Sequence, residues 1–266
     1  MPSYNLDSIK AALAKGDKKS DTKAKSNYWK PELGTHDVRF MPIESSTGEP
    51  FLRVQYYEAL SDRRFVAPSC FGLPDPVSDA FEKLRKKKEN WPIAKNLRPR
   101  ERFYAVVMVR GEEDKGPRVW EMSADLRKKI YDILLHKDNV DEDMFSSEVG
   151  YDFTVTVSPL LENGKPKTFK GHPMKDISLQ PRKKPSPLSK DKSQAAAWVA
   201  AIPNLEEMFK SQCKSPEELI EILENYLAST TAGEAPSADG TDHNPSSPST
   251  AKVAEDKLDS AFADLS

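Results

Sequence analysis

Over residues 37–41, apolar Val38 and Phe40 alternate with Asp37 and Arg39, and the run stops at Pro42. That is the period-2 pattern of a half-buried strand. Residues 51–58 and 63–67 predict a second and a third strand. Residues 101–110 (ERFYAVVMVR) predict the strongest one, and 118–122 another after the turn residues Gly116-Pro117. Residues 79–89 predict a short helix with Phe81 and Leu84 inward and Lys86, Lys87 and Lys88 outward. Ser123 is placed to cap a helix whose Leu126, Ile130, Ile133 and Leu134 fall at i, i+4, i+7 and i+8. Residues 151–157 alternate cleanly, Asn163-Gly164 predicts a hairpin, and 176–179 predict a further strand. The Pro-rich segment 181–194 predicts a loop. Ser215 and Glu218 form a capping box with Pro216 at the first helical position. The helix it opens carries Leu219, Ile220, Leu223, Tyr226 and Leu227 on one face.

Three segments follow. Residues 1–27 read as a flexible basic arm, 28–228 as the structured core and 229–266 as a disordered acidic tail. Many short strands, few helices and frequent turns predict a mainly β (α+β) chain with an OB-type barrel core and helical additions.

The 266 residues hold 37% apolar and 31% charged side chains, so part of the chain is expected to stand outside the core. No apolar run approaches the length of a membrane span, and the first residues lack the apolar stretch of a secretory signal. Two cysteines, Cys70 and Cys213, exclude a disulfide framework and a cysteine-rich zinc site, and suggest a reducing compartment. The formal net charge of −2 hides strong segregation. Residues 81–110 and 165–192 each carry +7, while 111–150 and 229–266 each carry −5. Basic stretches of this kind point toward nucleic acid.

Strand parity sharpens that reading. With Phe103, Ala105, Val107 and Val109 facing a core, Arg100, Arg102 and Tyr104 fall on the other side. By the same logic Arg39, Arg53 with Tyr57, and Arg118 with Trp120 are expected on non-core faces. Together with Lys87 they predict a surface that stacks bases and neutralises phosphates. Catalytic signatures are absent: Pro117-Arg118 breaks a P-loop-like spacing, and no HExxH, GxSxG or GxGxxG occurs. The acidic run 138–143 lacks the glycine turn and terminal Glu of a calcium loop. In the tail, Leu258, Phe262 and Leu265 recur at i, i+4 and i+7 beside Asp259 and Asp264, a strip suited to folding on a partner protein.

The phrases YWKPELGTHDVRFMP (28–42), FVAPSCFG (65–72), DPVSDAF (75–81), RPRERFYAVVMVR (98–110) and RVWEMSADLRKKIYDIL (118–134) resemble the gene-32-type single-stranded DNA-binding proteins of T-even-like bacteriophages. The resemblance weakens beyond the helix that follows Ser123, and the acidic ending matches too. It implies an OB-type core, a basic arm for cooperative self-assembly, and a tail that recruits replication and recombination proteins. It also implies work in the cytoplasm of an infected bacterium, with no membrane partner. It puts Arg98, Arg100 and Arg102 in the place of a basic cluster and Phe103-Tyr104 in the place of an aromatic pair; parity favours Tyr104 as the ring that stacks. The family's zinc-binding Cys-Pro-Val-Cys run reads Asp75-Pro76-Val77-Ser78 here. A zinc-free version without cofactor is therefore expected, in which Tyr56, Phe65, Phe71 and Phe81 pack in place of the metal and Cys70 is a buried small hydrophobe. A non-enzymatic single-strand binder is the leading reading. An RNA-binding OB protein, a replication scaffold and an enzyme using the acidic run 138–143 are the alternatives.

Overall fold

The computed structural model describes residues 27–45, 48–139, 143–169 and 171–231. The chain opens with strands β1 (Tyr28–Trp29), β2 (Gly34–Met41), β3 (Leu52–Tyr57) and β4 (Phe65–Val66). Two helices follow, α1 (Pro76–Leu84) and α2 (Trp91–Leu97), then β5 (Arg100–Val109), β6 (Arg118–Met122) and α3 (Ala124–Leu134). β7 (Asp152–Pro159) leads into four two-residue strands, β8 (Leu161–Glu162), β9 (Lys165–Pro166), β10 (Thr168–Phe169) and β11 (His172–Pro173). After β12 (Lys175–Pro181) the remainder is helical: α4 (Lys192–Ala200), α5 (Leu205–Lys210) and α6 (Pro216–Thr231).

The main sheet runs β1-β6-β5-β2-β7-β12, with β3 attached to β5 and β4 to β3. β5 is long enough to serve two partners on one edge. Its residues 100–104 pair with β3, and 106–109 pair with β2. Among the described residues the terminal strands β1 and β12 do not pair with each other, so the expected closed barrel is an open mixed sheet. The α+β class holds. At Asn163-Gly164 both residues take positive φ (52° and 78°), as a two-residue type I′ hairpin turn requires, and Glu162 pairs with Lys165 across it.

Both faces of the sheet are covered. On one, Val38, Phe40, Phe103, Ala105, Val107, Trp120, Phe153 and Val155 close against Leu126 and Ile130 of α3. Ser123 caps α3 by accepting the Leu126 N–H at 3.2 Å. On the other face, Met41, Val54, Tyr56, Tyr104, Val106 and Met108 lie under Leu188, Leu205 and Phe209 from the C-terminal segment. A third cluster joins Tyr57, Phe65, Val77 and Leu97 to Leu219, Leu223 and Leu227 of α6. The run from Ala105 to Val109 is apolar at every position, which is how a strand buried on both sides reads. Val106 and Met108 therefore already contradicted a solvent-facing side for Tyr104.

Candidate nucleic-acid interface

The site grows out of the α1–α2 pair. Asp75 caps α1 by accepting the Ser78 N–H at 3.2 Å, and Pro76 takes the first helical position. α2 also starts with a proline, Pro92, and buries Ala94 and Leu97. With those two positions inward, Trp91, Lys95 and Arg98 fall at i, i+4 and i+7 on the outer side. All three line a cleft of about 750 Å³ whose other walls include Phe81 of α1, Gln55 of β3 and Arg100 of β5.

Trp91 is 48% exposed, whereas Trp29 and Trp120 are buried at 5% and 1% and Trp198 is half-buried. Lys95, Arg98 and Arg100 are exposed around it, and Lys86, Lys87 and Lys88 stand exposed just before it in the chain. Lys86, Lys87, Lys88, Lys95 and Arg98 make no ion pair among the described residues. Arg100 has only a long contact with Glu58, at 3.6 Å. Two carboxylates at the cleft are already answered: Glu82 by Arg85 at 2.6 Å and Glu101 by Arg53 at 3.3 Å. An indole with open surface, ringed by cations with spare charge, can stack an unpaired base and hold its phosphates.

Of the residues expected from the sequence, Arg98 and Arg100 stand in this cleft and Arg53 stands beside it, and Lys87 is exposed on its approach. The rest are placed elsewhere. Arg102 is half-buried and committed to Glu58 (2.8 Å) and Glu121 (3.4 Å). Arg39 is fully buried, donating to Asp152 at 2.9 Å, to the Ser146 carbonyl at 3.2 Å and to both oxygens of Ser186 at 2.8 Å. Burial pulls its pKa down against the opposing pull of Asp152. Arg118 is buried and pairs with Glu112 at 2.5 Å.

The expected stacking rings are interior residues, and this corrects the outward placement assigned to them. Tyr104 packs on Phe209 with ring centroids 4.3 Å apart, and its hydroxyl meets that of Tyr56 at 2.8 Å. Burial pushes the Tyr56 phenol up to about 12. Phe103 lies inside the first cluster under the Arg127 guanidinium, 4.5 Å from its ring centre. Trp120 sits between Trp29 (4.8 Å) and Phe40 (5.9 Å). Tyr57 is buried and donates to Asp75 at 2.8 Å. The pairing explains why one shared surface does not exist. Arg53 lies opposite Phe103 and Arg118 opposite Val107, which puts both on the α3 side of the sheet. Arg39 lies opposite Met108, on the side that Arg102 and Tyr104 share.

No family model matches this chain, and no curated protein does.

Where the resemblance implied a lost metal, a carboxylate does the joining. Asp75 is buried and accepts from the Tyr57 hydroxyl (2.8 Å), the Ser69 hydroxyl (2.7 Å) and the Ser69 N–H (3.2 Å), besides its cap to Ser78. Phe65 and Phe81 pack in the third cluster as expected, whereas Tyr56 and Phe71 belong to the second. Cys70 is half-buried rather than buried. Among the described residues, no three His, Cys, Asp or Glu side chains are grouped to hold a metal ion. No described helix is long and apolar enough to cross a membrane. The arm 1–26, most of the tail, and with it Leu258, Asp259, Phe262, Asp264 and Leu265, lie outside the described residues.

Trp91, Phe81 and Lys95 were missed as site residues. The signal was present in residues 91–98, WPIAKNLR, where a proline opens a short helix and the aromatic and basic positions share a face.

Proposed function

We propose that this chain is a non-enzymatic, sequence-tolerant single-stranded DNA-binding protein. It coats and protects exposed strands during phage DNA replication, recombination and repair in the cytoplasm of the host. The half of the sheet formed by β2, β3, β5 and β6 over α3 is read as an OB-type core left open at its ends. Its acidic tail recruits replication proteins and its basic arm serves self-assembly, as the resemblance implies. The observation that carries the reading is Trp91, half in solvent at the mouth of a cleft where Lys95 and Arg98 have no acidic partner among the described residues. Binding to bases through a π-face and to phosphates through point charges explains a lack of sequence preference.

Titrating oligothymidylate against the full chain at several salt concentrations tests it. Trp91→Ala is expected to weaken binding about 5- to 150-fold, the range for one stacked base. Affinity unchanged by that substitution would reject the cleft as the site.

A further inference from the structure

We propose a second single-strand contact on the same molecule, a groove built on Trp198 and Lys190; it rests on the reading of the Trp91 cleft as a single-strand site. The groove has a volume of about 550 Å³ and lies between Arg110 at the end of β5, the segment Pro187 to Lys190, and α4. Trp198 of α4 is half-buried: it packs against the second apolar cluster and also lines this groove. α4 is set in place by Asp191, whose carboxylate accepts the Ser193 N–H at 2.8 Å and the Ser193 hydroxyl at 2.7 Å. None of its residues is fully buried.

The charge around this groove favours a polyanion. Lys190 lines it, and Lys183, Lys184 and Lys192 flank its lining segment in the sequence; all four are exposed and make no ion pair among the described residues. Two carboxylates line the groove. Asp152 is neutralised from both sides, by Arg39 and by Arg110, each at 2.9 Å. Glu113 turns one oxygen to the Gly111 N–H at 2.9 Å, and outside the lining the exposed Asp191, between Lys190 and Lys192, is engaged in the cap of α4. The chemistry repeats that of the first cleft: one aromatic ring with an open side, and ammonium groups with nothing to answer them. Lysines alone would serve duplex and single strand alike, because they read phosphate; the ring adds a demand for an unstacked base. The occupant that meets both conditions is a single strand long enough to leave the first cleft and reach the second.

The tryptophans supply the reporter. Trp29 and Trp120 are buried, at 5% and 1% exposure, so only Trp91 and Trp198 can meet a ligand. In Trp91→Phe, emission from Trp198 is expected to fall on titration with an oligothymidylate of about 24 nucleotides, beyond the roughly 4–16 that one OB-type site covers. In the triple variant Lys183→Ala, Lys184→Ala, Lys190→Ala, which removes no apolar packing, the slope of log affinity against log salt should become shallower. Each lost phosphate contact removes about 0.7, so the change runs from about 0.7 for Lys190 alone to about 2 for all three. If the wild type binds and is quenched, but Trp91→Phe shows no quenching and the triple variant keeps the wild-type slope, the second groove is overturned and the first cleft stands. If the wild type itself neither binds nor is quenched, both fall together.

Discussion

Asp75 holds three pieces of chain with one carboxylate. Tyr57 comes from β3, Ser69 from the 3-10 turn Pro68–Phe71, and Ser78 from the first turn of α1. Their four donors converge on a side chain that is 5% exposed. Hydrogen bonds to a charged group contribute about 1.5–3 kcal/mol each, though not additively within one network. Asp75→Ala leaves buried donors with no acceptor and is expected to cost about 3 kcal/mol or more; Asp75→Asn, which keeps one carbonyl, should cost about half. The readout is the urea midpoint at unchanged slope. A midpoint equal to wild type for Asp75→Ala would show that the donors find other partners. At this scale the sequence was partly legible. Parity correctly put Arg102 with Tyr104 and Arg118 with Trp120, because side chains alternate along any strand. Parity alone could not say that neither side of β5 is wet, which only the unbroken apolar run from Ala105 to Val109 signalled. The dry second side depends on Leu205 and Phe209, about a hundred residues away, packing over Tyr104.

Elements divide according to how local their causes are. β2, β5, α3 and α6 were readable because each is a periodic apolar pattern with its own cap or turn. α2 was missed because its signal is weak: seven residues with two buried positions give little periodicity, and the proline that opens it reads equally as part of a loop. β12 and the segment after it illustrate a second difficulty. Their basic residues point outward, while the backbone of the same loop serves as a receptor for Arg39 and Arg110, which the sequence pattern did not signal. Arg110 donates to the Leu188 carbonyl at 2.7 Å, and Arg39 donates to Ser186. Through Asp152 this knot fastens β2, β5 and β7 to the chain that leads into α4. Without Arg39, Asp152 keeps only Arg110, and the Ser146 and Ser186 acceptors lose a charged donor, each such hydrogen bond contributing about 1.5–3 kcal/mol. Arg39→Ala should therefore lower stability by at least that amount, measured by chemical denaturation. Binding at the Trp91 cleft below the unfolding transition should match wild type, since Arg39 reaches no solvent and lines none of that cleft. A loss of affinity without loss of stability would reverse that assignment.

Across the whole molecule, the informative quantity is which cations are already spent. The stretch 81–110 carries +7 by count, but Arg85, Arg102 and Arg110 have acidic partners, and so does Arg100 at longer range. What remains uncommitted is Lys83, Lys86 to Lys88, Lys95 and Arg98, of which Lys95 and Arg98 line the cleft of the one widely exposed indole. Charge and ring there should contribute differently to two ligands. A duplex offers phosphates at high density but hides the faces of its bases, whereas a single strand offers both. Lys95→Ala with Arg98→Ala should thus weaken single- and double-stranded DNA together. The salt slopes should flatten by about 0.7 per lost contact on the single strand and about 0.9 on the duplex. Trp91→Ala should weaken the single strand and leave the duplex near its wild-type affinity. The ratio between the two ligands should then drop by the same factor as the single-strand affinity itself. Parallel titrations at two salt concentrations decide it: if Trp91→Ala depresses both ligands equally, the indole supports the cleft's shape and does not stack on a base.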